Sequence, residues 1–90
     1  MARSIMQDEK VCFVSGSTVQ LDRHHVYAGM ANRKISEKYG CWCWLRHDIH
    51  MELHDRNKEL DKMLRRVCQE KFEETHTRDE FMRIFGKSYL

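Results

Sequence analysis

The stretch Cys41-Trp42-Cys43-Trp44-Leu45-Arg46-His47-Asp48-Ile49-His50-Met51-Glu52-Leu53-His54 changes its period halfway along. Its first five residues alternate, so that Cys41, Cys43 and Leu45 share one side of an extended chain and Trp42 and Trp44 share the other. Both sides are apolar, which predicts a strand buried on two faces. From Asp48, a residue suited to cap a helix beginning at Ile49, the repeat becomes i, i+4. Ile49 and Leu53 then fall on one helical face, and His50 and His54 on the adjoining one.

Toward the N-terminus, Val11 to Val14 reads as a short apolar strand and Ser15-Gly16-Ser17-Thr18 as a turn. The next segment, Val19 to Tyr27, is extended in character, carries the doublet His24-His25 and ends at Ala28-Gly29. Between the two loaded strands, Met30 to Gly40 reads as a short helix or structured loop, with Gly40 as its C-terminal cap. On the other side, Asp55-Arg56-Asn57 interrupts the histidine helix. Leu60, Met63, Leu64, Val67 and Phe72 follow as the apolar stripe of a second amphipathic helix. Thr77-Arg78-Asp79-Glu80 is a capping-box pattern opening a last helix with Phe81, Ile84 and Phe85, ended by Gly86. The expected fold class is α+β: a small β-hairpin plus helix, with additional C-terminal helices, in one domain over residues 1–90.

With 90 residues, 33% of them charged and 41% hydrophobic, the core is small, and a bound metal or a partner chain is a plausible source of added stability. No run approaches the roughly 20 apolar residues of a spanning helix, and the first ten residues lack a hydrophobic signal core. The expectation is a soluble protein of the cytoplasm, without a membrane partner. In that compartment Cys12, Cys41, Cys43 and Cys68 stay as thiols, available for packing or for metal. A net charge of +2 leans only weakly toward polyanions. Six histidines are more telling, because imidazole is both a common metal ligand and a group that titrates near neutrality.

Hydrolysing a phosphodiester requires a Lewis acid at the phosphate, a base for water and a cation for the developing charge. Adjacent residues of a strand point to opposite faces, so His24 and His25 take different tasks. His50 and His54, one helical turn apart with roughly 5–6 Å between their β-carbons, can reach one ion together. If the hairpin packs on this helix, one histidine of the doublet completes a three-histidine site with positions left open, which is the mark of a catalytic rather than a structural centre. Arg46, beside the helix, is the foremost candidate to meet a phosphate, with Arg33 and Lys34 after it. His47 is read as hydrogen-bonded or solvent-facing. Trp42 and Trp44 are read as core, Met51, Met63 and Met82 as gap fillers on helical faces, and Cys68 as buried.

The doublet in Leu21-Asp22-Arg23-His24-His25-Val26, the second strand and the pair in His50-Met51-Glu52-Leu53-His54 together resemble the strand–strand–helix motif of HNH (ββα-metal) endonucleases, including the colicin DNase branch. The resemblance covers about Cys12 to Asn57. Ala31 to Gly40 and Phe85 to Leu90 also resemble small HNH-type reading frames of phages and prophages, which would make the compartment the host cell's cytoplasm. The resemblance implies His24, His50 and His54 as ligands of one divalent ion (Mg²⁺, Mn²⁺, Ni²⁺ or Zn²⁺), His25 as general base, and DNA as substrate, cut to a 5′-phosphate and a 3′-hydroxyl. The chain departs from the family at two places. Cys41 stands nine residues before His50, where the family has its middle asparagine, and Cys12 is followed three residues later by Ser15, so a structural zinc knuckle is not expected. Cys12, Cys41 and Cys43 are then core residues. Two other readings remain open from sequence: a non-catalytic nucleic-acid-binding module that keeps the fold, and a structural module in which cysteines close a zinc site with histidines.

Overall fold

The structure is a computed structural model that describes residues 2–27 and 29–90, Met30 by its backbone alone. Ala28, where the first strand was expected to end, lies outside the described residues. The chain runs β1 (Leu21–His25), α1 (Met30–Tyr39), β2 (Trp42–Arg46), α2 (His47–Asp55), α3 (Lys58–Phe72) and α4 (Arg78–Phe85). This is the expected α+β arrangement, a two-stranded antiparallel hairpin followed by helices. Among the described residues no helix is long and apolar enough to cross a membrane.

The pairing register sets which side chains share a face. Asp22 stands opposite Leu45 and His24 opposite Cys43, whereas Arg23 stands opposite Trp44 and His25 opposite Trp42. The first set turns inward: His24, Cys43 and Leu45 are all buried. There they meet the core built by Leu53 of α2, Leu64, Cys68 and Phe72 of α3, and Phe81 and Phe85 of α4. Tyr27, just past β1, packs its ring 4.4 Å from Phe85 and 5.3 Å from Phe81, so the aromatic cluster at the end of the chain seals the end of the hairpin.

The expected strand at Val11–Val14 is not formed. Cys12 instead opens a tight turn, its carbonyl accepting from Gly16 N–H at 2.8 Å and its N–H donating to Ser17 at 2.8 Å, while Val14 is exposed. The segment's work is to close the free edge of β2. Gln7 Oε1 accepts from Trp44 N–H at 2.7 Å, Phe13 N–H donates to the Trp44 carbonyl at 2.8 Å, and Cys12 Sγ accepts from Arg46 N–H at 3.3 Å. An edge satisfied group by group needs no third strand and offers no template for another chain.

Helix α1 fills the connection between the strands and fixes its geometry. Cys41 N–H donates to Ser36 at 2.7 Å, and the Cys41 carbonyl accepts from Val26 N–H at 3.0 Å. Gly40 ends the helix at φ 74°, and a β-carbon there would collide with the Arg3 carbonyl oxygen, so glycine is demanded by both backbone and space. Trp42 is buried, and Trp44 is half-buried under the N-terminal segment. Met51 and Met82 are exposed rather than packed, because the inner faces of α2 and α4 are already filled by Leu53 and by Phe81 and Phe85. All four cysteines are buried free thiols.

Helix α2 begins two residues earlier than Ile49. Asp48 is not its cap but lies in its first turn, where its Oδ1 accepts from Ile49 N–H at 2.9 Å and its carboxylate favours the positive end of the helix. Asn57 breaks α2 from α3 by capping the latter, accepting from Leu60 N–H at 3.0 Å. At α4 both halves of the capping box between Thr77 and Glu80 are made.

Candidate metal centre and cleft

β1 presents His24 on the inner face of the hairpin, and α2 presents His50 and His54 from consecutive turns toward the same point. Each of the three offers a ring nitrogen, and these atoms lie within 4.8 Å of one another. The ring centroids are 5.2 Å apart for His24 and His50, 5.8 Å for His24 and His54, and 4.8 Å for His50 and His54. This group could hold a metal ion.

Two observations test the fit. His24 is only 3% exposed, and its buried Nε2 has no hydrogen-bond partner, a costly state for a polar atom that a bound cation relieves. Burial, with the neighbouring His50 and His54 adding to it, also brings the His24 pKa down to about 3, so the ring is neutral at physiological pH. A neutral imidazole is the form that ligates. His50 and His54 meanwhile bring their Nε2 atoms to 3.1 Å of each other. Three imidazoles converging in this way suit a metal ion.

Asp22 supplies what the histidine spacing did not reveal. Its Oδ2 lies 2.9 Å from His50 Nδ1 and 2.7 Å from His47 Nδ1. With the His50 proton held at Nδ1 by the carboxylate, Nε2 is left bare for a metal, the arrangement by which carboxylates fix the tautomer of ligating histidines. Hydrogen bonds from His50 and His47 hold the Asp22 carboxyl below the usual carboxylate range. The signal was present as period 2: Asp22 is two residues from His24 and therefore on its face. His47 both bonds to Asp22 and faces solvent.

His25 points to the other face of the hairpin, yet reaches the same cleft. A depression of about 360 Å³ is lined by His24, His50 and His54 together with His25, Arg23 and Arg33. It adjoins another of about 380 Å³ lined by His25, Arg33, Lys34 and Glu37. Burial depresses the His25 pKa, with Arg33 and Arg23 acting in the same direction and Glu37 opposing them. Glu37 of α1 is held by Arg23, whose Nη1 is 2.6 Å from Oε1. Its other oxygen, Oε2, is sealed from solvent, has no hydrogen-bond partner, and lies 3.8 Å from His25 Nε2. Arg23 in turn stacks its guanidinium 3.8 Å from the centroid of Trp42.

Arg33 and Lys34 therefore stand at the cleft, but Arg46 does not. Both prongs of its guanidinium meet Asp48 at 2.7 Å in an exposed pair. Cys12, Cys41 and Cys43 belong to the core and join no ligand group: among the described residues the group of three potential ligands is His24, His50 and His54. A further depression, about 500 Å³, lies between the N-terminal segment and the two tryptophans and is lined by none of the four histidines. No protein-family model, curated protein or solved structure matches the chain.

Proposed function

We propose that the chain is a metal-dependent endonuclease of the HNH type, hydrolysing phosphodiester bonds in DNA. One observation carries this reading: three imidazoles converge on a point while a fourth, His25, borders the same cleft and stays out of the ligand group. That division separates metal binding from proton transfer. A divalent ion held by His24, His50 and His54 supplies Lewis acidity at the scissile phosphate. A donor set of neutral imidazoles favours zinc or nickel over magnesium, which prefers carboxylate and water oxygens.

The chain's own residues supply the remaining steps. His25, kept neutral by burial and by the arginines beside it, accepts a proton from water. The hydroxide so formed attacks phosphorus, the bond to the 3′ oxygen breaks, the departing 3′ oxyanion takes a proton from solvent water, and the products are a 5′-phosphate and a 3′-hydroxyl. Arg33 and Lys34 flank the path as cations for the phosphate backbone. The net charge of +2 is consistent with a substrate held locally rather than coated along its length.

The experiment is nicking of supercoiled plasmid by protein stripped with chelator and reloaded with Zn²⁺, Ni²⁺, Mn²⁺ or Mg²⁺. Nicking should return with a transition ion. His25→Ala should lower the rate about 10²- to 10⁴-fold, the usual contribution of a general base, while metal uptake stays intact. DNA binding without metal-dependent nicking would replace this reading with a non-catalytic nucleic-acid-binding module.

A further inference from the structure

We infer that Glu37 is the residue that positions His25, accepting the proton on Nε2 and so leaving Nδ1 as the basic nitrogen. The inference rests on the nuclease reading for its consequence but on the geometry of the pair for its substance. Glu37 Oε2 is a buried acceptor without a hydrogen-bond partner, and His25 Nε2 lies 3.8 Å from it. That distance is about 1 Å longer than a direct N–H···O bond, and bonds of this kind in resting sites tighten when substrate seats.

The carboxylate is fixed from behind. Arg23 Nη1 grips Oε1 at 2.6 Å, and the guanidinium is itself stacked on Trp42, so the carboxylate is anchored to β1 and β2 as well as to α1. Arg23 and His25 lie on the same face of β1, opposite Trp44 and Trp42 in the pairing register, which is why a single side chain of α1 reaches both. Cys41, at the place of the family's asparagine, is fully buried and holds the end of the hairpin through its backbone N–H and carbonyl, bonded to Ser36 and Val26, and not through a side-chain amide. The base therefore needs an orienting group from elsewhere, and α1 provides one.

A neutral imidazole carries one proton. Placed at Nε2 by the carboxylate, it leaves the lone pair on Nδ1. When Nδ1 takes the proton from water, the imidazolium lies beside the Glu37 negative charge, which stabilises it. Glu37 lies outside the group of potential metal ligands, and its role in the reaction is exerted through His25.

The test compares Glu37→Gln and Glu37→Ala with the parent protein and with His25→Ala, using the full chain loaded with Zn²⁺ and a plasmid substrate. Proton NMR of the parent should show an imidazole N–H resonance of His25, slowed in exchange and shifted downfield, that disappears in both Glu37 variants. Plasmid nicking should lose about 10- to 100-fold in kcat with KM and Zn²⁺ affinity unchanged, part of what the base itself contributes. In the His25→Ala background the Glu37 changes should have no further effect. Glu37→Gln keeps the shape and a partner for Arg23, so it reports on the pair even where Glu37→Ala unfolds. A resonance insensitive to Glu37, or an undiminished kcat in Glu37→Gln, overturns the inference. A parent protein that shows the Glu37-dependent resonance yet never nicks DNA supports the pairing and overturns the nuclease reading instead.

Discussion

Replacing Asp22 measures how far the metal centre depends on a residue that is not a ligand. Its carboxylate oxygen lies 2.9 Å from His50 Nδ1 and 2.7 Å from His47 Nδ1, so removing it frees the His50 ring to rotate and to place its proton on Nε2, where the ion should bind. Loss of such an outer partner costs about 10- to 100-fold in metal affinity. The amide introduced by Asp22→Asn can still accept from Nδ1–H but carries no charge, so this variant should lie near tenfold and Asp22→Ala near a hundredfold. The effect on stability follows from mass action. At Zn²⁺ equal to 100 times the parent dissociation constant, binding stabilises the fold by about 2.7 kcal/mol. A tenfold weaker site retains about 1.4 kcal/mol and a hundredfold weaker one about 0.4 kcal/mol. At about 4–8 °C per kcal/mol for a chain of this size, the Zn²⁺-induced rise in melting temperature should shrink by roughly 5–10 °C in Asp22→Asn and 9–18 °C in Asp22→Ala. Calorimetric titration with Zn²⁺ and paired melts with and without the ion give both numbers. Using the Zn²⁺-induced increment, not the absolute melting point, cancels whatever the substitution does to the metal-free fold. Parent-like affinity in Asp22→Ala would show that packing alone orients His50.

Two further outcomes are expected. In metal-free protein His24 has a pKa of about 3 in the fold against about 6.5 unfolded, so the unfolded chain takes up the proton first. The stability this gives is present above pH 6.5 and is lost as pH falls toward 3; between pH 6.5 and 5 the loss is about 2 kcal/mol. Urea midpoints in chelator at pH 7 and pH 5 read it, and His24→Leu should flatten the slope; an unchanged slope in that variant refutes the assignment. Gly40→Ala should destabilise by at least about 1–2 kcal/mol, since its φ of 74° is left-handed and its β-carbon would meet the Arg3 carbonyl. The Ile5 amide, bonded to the Gly40 carbonyl at 2.9 Å, should exchange faster in that variant, and parent-like urea midpoint and exchange would contradict this packing.

What was legible in the sequence was local. The switch of period between Cys41–Leu45 and Ile49–His54 located β2 and α2, and the stripe from Leu60 to Phe72 located α3, because apolar spacing reports directly which face meets the core. Thr77 and Glu80 form the expected box because a capping box needs only its own four residues. The convergence of His24, His50 and His54 was readable once the hairpin was assumed to lie on the helix. What was not legible depends on which partner each side chain meets in the fold, near or far in sequence. Val11–Val14 has strand-like residues, but it meets an edge that asks for scattered hydrogen bonds to Trp44 and Arg46. Arg46 was read for its nearness to the histidine helix, which gave no sign that its guanidinium would pair with Asp48, two residues on. Gln69, a polar residue within an apolar stripe, is wholly buried because its amide ties down Ser88 and the Tyr89 N–H at 3.0 and 2.7 Å. Glu37 is one of several charged residues on α1, and nothing nearby in sequence marks it as the one that faces Arg23 and His25.

The position of His50 and His54 outside the buried core gives their substitutions a meaning that one at His24 lacks. The buried apolar cluster that holds the elements together runs from Cys12 and Tyr27 through Cys43, Leu45 and Leu53 to Leu64, Phe72, Phe81 and Phe85; His24 is buried against it, whereas His50 is half-buried and His54 exposed. The three histidines that could hold an ion sit at the seam between β1 and α2, on positions whose backbones are set by pairing with β2 and by the burial of Leu53 one residue before His54. A knuckle of four metal-bound cysteines would have made metal and fold inseparable, since such modules unfold when the ion is removed. Here the thiols lie within the apolar core and the aromatic cluster of α3 and α4 takes that structural task. Loss of nicking in a folded His50→Ala or His54→Ala protein would therefore report on the site, not on the scaffold that carries it.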